Sequence, residues 1–342
     1  MRLRVSDERD RREWDEAVCR LGGSIFHSVG WADYVVAAQP HAVPQFFSLV
    51  SDGGEEIGVA MGFRARSSRR LLASLTGRLW MDALPVVKEG DAQTFDEFLR
   101  LLEAYAVEAK DSELHLGSFA SPDGADALRR AGYCVTDRLE FEIALGPSEE
   151  ELWEHLEYKR RKNLKKAARL GVLIEDLPVD EGVATLRRLQ GASAERIVER
   201  GGPDITRDDT EAKDPVAELA GCGLGRLVGA RVGDEIVSAS LFTCFNGLVY
   251  HTLSGHGPEA LKTQAPTFLL WETLKRYRSE GATRLNLGGC SVEALQEDSP
   301  EHGVYAYKKA FGGACLRCGS GEKILRPGAH GIVRIARALK RR

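Results

Sequence analysis

The chain has 342 residues, 43% of them hydrophobic, enough to fill two cores of ordinary size and far from the composition of a disordered chain. Its 47 basic and 51 acidic side chains leave a formal net charge of -4, so any nucleic acid or phosphate partner must be met by a local patch rather than by bulk charge. The opening MRLRVSDERDRREWDE is too charged for the apolar part of a secretory signal, no run approaches the roughly 20 apolar residues of a membrane span, and seven scattered cysteines do not form a disulfide framework; a cytoplasmic protein with no integral membrane segment is expected.

Residues 7–20 read as an opening helix, and FHSVGWADYVVAA (26–38) follows with helical periodicity behind a possible Ser28 cap. Strands are expected at 45–50 and 56–65, joined by a Gly-Gly turn, with a further apolar segment from Leu71 to Val87. The period then changes: Phe95, Phe98, Leu99, Leu102, Tyr105 and Ala106 lie on one stripe of a long helix. A strand (113–119), a short helix ending near Gly132 and an alternating strand (133–145) complete the first half.

Gly146-Pro147 breaks the pattern, and Ser148 with Glu151 forms a capping box. The domain boundary is placed there, giving an N-terminal domain of 1–147 and a C-terminal domain of 148–342. One helix is expected through WEHLEYKRRKNLKKAARL to Gly171, then a strand, a helix over about 180–200 and a helix start at Asp214-Pro215. Gly221, Gly223 and Gly225 precede a strand and read as a turn rather than a phosphate loop. Three strands follow, linked by Gly233-Asp234 and Asn246-Gly247, and form an antiparallel meander. A helix from about Pro266 to Glu280, the strand TRLNLGG, a short helix at 304–311 and a last strand at 314–325 repeat the rhythm of the first half. The expected class is α/β (α+β): two tandem domains, each a mixed, mostly antiparallel sheet flanked by helices, in the element order of the GNAT fold.

Three stretches carry a closer likeness: YKRRKNLKKAARLGV (158–172), APTFLLWETLKRYRSEGATRLNLGG (265–289) and GVYAYKKAFGG (303–313). Together, and with the fainter FHSVGW at 26–31, they resemble the Fem family of peptidoglycan-bridge aminoacyltransferases and related Fem-like acyltransferases. Two features depart from that family. No lysine occurs from Ala32 to Pro40, where members using a nucleotide-linked muramyl peptide commonly have one, and no heptad run supplies the coiled-coil arm of some members.

An activated acyl donor carries phosphates beside a reactive carbonyl, so the enzyme must hold the first and polarise the second. From Lys159 to Arg169 there are seven cations and no carboxylate. Arg161, Lys162 and Lys165 at helical spacing are candidate phosphate contacts, with a solvated helix face as the plain reading of the same run. Before the 266–280 helix, Lys262 and Gln264 are further candidates, in a loop without the Gln/Arg-x-x-Gly-x-Gly/Ala pattern of acetyl-CoA-binding GNATs. Gly288 and Gly289 close the strand where a GNAT sheet parts, and would let a ligand approach the backbone. The resemblance implies that Lys308 neutralises charge at the acyl carbonyl or a donor phosphate, flanked by Tyr307, with Lys309 competing. Tyr305 or Tyr307 could protonate a leaving group or simply pack. His251 and His256 more naturally line the sheet than act as a base. No metal is called for; Cys315 and Cys318 point to opposite faces of a strand.

These residues imply an N-acyltransferase without a bound cofactor. Its donor would be aminoacyl-tRNA by family likeness, and its acceptor an amine such as a cell-wall precursor peptide. Two alternatives stand beside it. One is an acyl-CoA- or acyl-carrier-protein-dependent enzyme acting on an amino sugar, exopolysaccharide or small amine; the other is a non-catalytic RNA- or membrane-binding module. The basic amphipathic end HGIVRIARALKRR offers a possible peripheral membrane contact.

Overall fold

The computed structural model describes residues 1–8, 10–65, 77–88, 91–122, 124–199 and 214–328. The basic end at 330–342 and the start of the apolar segment at 71–76 lie outside them. The chain forms two compact units: Met1–Arg138 with the chain from Arg317, and Leu139–Leu316. Among the described residues no helix is long and apolar enough to cross a membrane.

Unit 1 opens with strand β1 (Arg2–Ser6), where a helix was expected to begin at 7; the helix α1 starts later, at Arg11–Arg20, behind an Asp10 cap that accepts from Glu13 N. Ser28 caps α2 (Val29–Ala38) by accepting from Trp31 N, as its position suggested. Strands β2 (Val43–Val50), β3 (Glu56–Ala65) and β4 (Arg78–Met81) pair antiparallel, with the two-residue β5 (Val86–Val87) beside β3. The long helix α3 (Ala92–Glu108) buries Phe98, Leu99, Leu102 and Ala106, and returns the chain to β6 (Glu113–Leu116), parallel to β4. Its inner face packs with Phe47, Leu79 and Leu114 into one core. The short α4 (Ala125–Arg130) then leads to β7 (Cys134–Ala144).

In unit 2 the capping box of Ser148 and Glu151 forms and starts α5 (Glu149–His155). The single helix expected here is two: α6 (Tyr158–Arg169) is separate. Leu156 turns its side chain into the core in an extended conformation, and the Glu157 N–H bonds the Ala310 carbonyl instead of continuing the helical ladder. Strand β8 (Leu173–Asp176), α7 (Val179–Glu199) and α8 (Pro215–Gly221) follow, the last behind an Asp214 cap.

Strands β9 (Gly225–Val232), β10 (Glu235–Phe245) and β11 (Leu248–His256) form the expected meander, and Asn246 and Gly247 at φ 51° and 73° make the two-residue turn. A helical turn not foreseen, α9 (Pro258–Thr263), precedes α10 (Ala265–Ser279); Gln264 at φ 62° kinks the chain between them. β12 (Arg284–Ser291) is parallel to β11, giving the strand order β7-β12-β11-β10-β9-β8. Helix α11 (His302–Lys309) and β13 (Ala314–Ile324) follow, with Gly321–Ile324 pairing antiparallel to β6 within unit 1. Both units therefore show the expected mixed, mostly antiparallel pairing flanked by helices. In unit 2, α10 buries Leu269, Leu270, Trp271 and Leu274 against Phe242, Val249 and Leu285, each such side chain stabilising the fold by about 1.5–3 kcal/mol.

Candidate active site

The ladder between β11 and β12 runs only from Leu248↔Arg284 to Tyr250↔Asn286, although the strands continue to His256 and Ser291. Beyond that last pair the two strands no longer pair with each other. The end of the ladder coincides with a shift on the other side of β11: Leu241 faces Leu253 but Phe242 faces His251, leaving Thr252 as an extra residue that bends the strand. Gly288, at φ 70°, turns β12 at the same level.

Lys308 enters this region from α11. Its Nζ donates to the Gly289 carbonyl at 2.9 Å and lies 3.4 Å from where a Cβ on Gly288 would stand, a point also 3.6 Å from the His251 carbonyl. His251 stacks on Phe242 and shares a hydrogen bond between Nε2 and Ser240 Oγ at 3.1 Å. Burial, and next the charge of Lys308, pushes the His251 imidazole down to about 3, so it is neutral at pH 7. His256, bonded through Nδ1 to Ser238 Oγ, is lowered by burial and then by Arg196 to about 4. Neither is a strong base.

Below the parting point lies a buried carboxylate. Glu140 on β7 accepts from Tyr250 Oη at 2.9 Å and from Asn286 Nδ2 at 2.8 Å, while Asn286 Oδ1 accepts from the Gly288 N–H at 2.7 Å. Glu140 and Asn286 are fully buried.

Tyr307 points away from its neighbour Lys308, toward α10. Its hydroxyl bonds Thr267, and burial raises its pKa above the usual phenol value. Arg160 on α6 stacks over the Tyr307 ring at 4.4 Å and over Phe311 at 5.2 Å, and donates to Tyr307 O and Thr267 Oγ1, both at 3.2 Å. This guanidinium ties α6, the start of α10 and α11 together.

The structure thus gathers Lys308, Gly288, Gly289 and His251 in one place, with Tyr307 on the adjoining turn. The other named residues have partners of their own. Arg161 donates to the Trp153 and Glu154 carbonyls that end α5. Lys162 and Lys165 are exposed, their ammonium groups over the rings of Tyr158 and Trp153 at 4.6 and 5.9 Å. Lys262 pairs with Glu259 at 3.0 Å, and the Gln264 side chain bonds the Leu261 carbonyl at 2.7 Å. Tyr305 packs edge-on to Phe141, with Lys309 Nζ 5.5 Å from its ring centre. Cys315 is exposed and Cys318 buried.

Arg160 and Glu140 were not singled out from the sequence. Arg160 had a signal: it precedes Leu164 and Ala167 by four and seven residues, so it shares their buried face. Glu140 had none, because it alternates with Leu139, Phe141 and Ile143 and so reads as a residue of the polar face, whereas the fold buries both faces of the strand there.

Residues 158–309 match the family model described as an acetyltransferase (GNAT) domain. A search among curated proteins finds no sequence match. Among solved structures, FemX superposes with a TM-score of 0.78 at 15% identity over 97% of this chain and 100% of that one. The C-terminal domain of a putative lysylphosphatidylglycerol synthetase from Agrobacterium fabrum gives 0.54 at 14% identity, over 95% of this chain and 96% of that one. L-PGS from Bacillus licheniformis gives 0.57 at 13% identity, over 92% of each. The parted strands and Lys308 lie within the matched segment. Residues 158–309 thus match a GNAT acetyltransferase domain, carried in a chain with the fold of FemX.

Proposed function

We propose that the chain transfers an acyl or aminoacyl group from an activated donor to an amine, with aminoacyl-tRNA as the donor and a cell-wall precursor peptide as the acceptor. The observation that carries this reading is the Lys308 ammonium at the point where β11 and β12 part. The backbone groups beyond the end of the β11–β12 ladder are placed to meet an extended donor arm. The amine attacks the carbonyl carbon, and negative charge develops on the carbonyl oxygen before the C–O or C–S bond to the leaving group breaks. The proton lost by the amine balances the one gained by the leaving alkoxide or thiolate. A cation near that oxygen stabilises the developing charge, and removing one such interaction typically costs about 10²–10³ in rate. Holding amine and carbonyl together supplies much of the remainder, so a covalent enzyme intermediate is unnecessary.

The motifs shared with the Fem family favour the aminoacyl donor, and the α6 cations Lys162, Lys165 and Lys166 would meet its phosphates. The loop before α10 lacks the acetyl-CoA pattern, which also favours it. The test supplies the purified protein with charged tRNA or with acyl-CoA thioesters, and with a lysine-containing stem peptide, and follows N-acylated product by mass spectrometry. Product that appears with charged tRNA and vanishes after ribonuclease supports the reading. Product that survives ribonuclease and needs only a thioester would replace it with the acyl-CoA alternative.

A further inference from the structure

We infer that Glu140 is a positioning residue for this site: acting through Asn286, it sets the turn at Gly288 that presents the Gly289 carbonyl to Lys308. The inference rests on the reading of Lys308 given above. A carboxylate has only acceptors, so it selects the amide orientation of Asn286: Nδ2 must face Glu140, and Oδ1 is left facing the Gly288 N–H. That hydrogen bond spans two residues and holds Gly288 at φ 70°. The turned backbone delivers the Gly289 carbonyl that accepts from Lys308 Nζ. Tyr250, which faces Asn286 in the last ladder pair, donates to the other oxygen of Glu140. One buried side chain therefore joins the end of the β11–β12 ladder to the placement of the ammonium. A carboxyl group with no role beyond packing would be an expensive occupant of a fully buried strand position.

The chain of donors can be inverted. In Asn286→Asp, two carboxylates face each other and the amide donor between them is lost. In the double variant Glu140→Gln/Asn286→Asp, the introduced glutamine amide donates to the introduced aspartate, which still accepts from the Gly288 N–H. Every bond of the series is restored with the same net charge.

Competitive labelling of lysine amines with acetic anhydride at pH 8, read by peptide mass spectrometry, reports the setting of Lys308 against its exposed neighbour Lys309. The Lys308 to Lys309 labelling ratio should change about fivefold in Asn286→Asp, the equivalent of one hydrogen bond. It should return to the wild-type value in the double variant, with Lys165 and Lys262 unaffected in both. If Asn286→Asp does not fold, Asn286→Ala is read in its place and should show the same change. An unchanged ratio in the folded single variant, or a double variant that does not recover, overturns the inference. Labelling needs no substrate, so this outcome is separate from the transfer assay: Lys308→Ala with undiminished transfer would sink the functional reading, whatever the labelling shows.

Discussion

Replacing Arg160 with Ala tests how the domain holds α11 in place. The guanidinium makes two hydrogen bonds at 3.2 Å, to Thr267 Oγ1 and the Tyr307 carbonyl, together worth about 2 kcal/mol. It also stacks on Tyr307 and Phe311, for about 2 kcal/mol more. Against this stands the cost of keeping a cation half-buried with its Nε lacking a partner, which returns about 1–2 kcal/mol when the group is removed. Arg160→Ala should therefore destabilise the protein by about 2–3 kcal/mol. Arg160→Lys should recover less than half of that, because an ammonium cannot reproduce the fork or the stack. Urea unfolding followed by tryptophan fluorescence measures both. A loss below about 0.5 kcal/mol for Arg160→Ala, or full recovery by lysine, would refute the assignment of Arg160 as the tie between these helices.

Other outcomes follow from single features. His251 and His256 are neutral in the fold and titrate near 6.5 when unfolded, so the unfolded chain binds more protons between those limits. Stability is fully present above about pH 6.5 and falls as pH drops toward 4 and then 3; His251→Gln with His256→Gln should flatten the pH dependence of the urea midpoint between pH 7 and 5. Gly312→Ala would force an αL alanine at φ 78° and press its Cβ onto the His155 carbonyl, a loss of at least about 2 kcal/mol in a thermal or urea melt. Lys162→Ala, Lys165→Ala and Lys166→Ala combined should weaken tRNA binding and reduce its salt slope by about 2 in filter-binding titrations. An unchanged slope would remove α6 from the donor surface.

What could be read in advance was set by local chemistry. Asn246-Gly247, the Ser148 capping box and the α3 stripe each depend on neighbours in the chain, and each appears where expected. The break at Leu156 depends on a carbonyl far along the chain, at Ala310, and no local pattern contains it. The same holds for the site. The glycine pair at Gly288 and the Lys308 motif marked its rim, whereas Arg160 was hidden among neighbours of like charge. Glu140 lay in a strand where consecutive positions are buried, and only the fold shows that it faces Asn286.

The most direct measurement is single-turnover transfer by Lys308→Ala, at equal thermal stability and saturating donor. The rate should fall about 10²–10³-fold while donor affinity changes little, as for an interaction made with the developing oxyanion. A Lys308→Ala protein that turns over at the wild-type rate would contradict the placement of acyl transfer where β11 and β12 part.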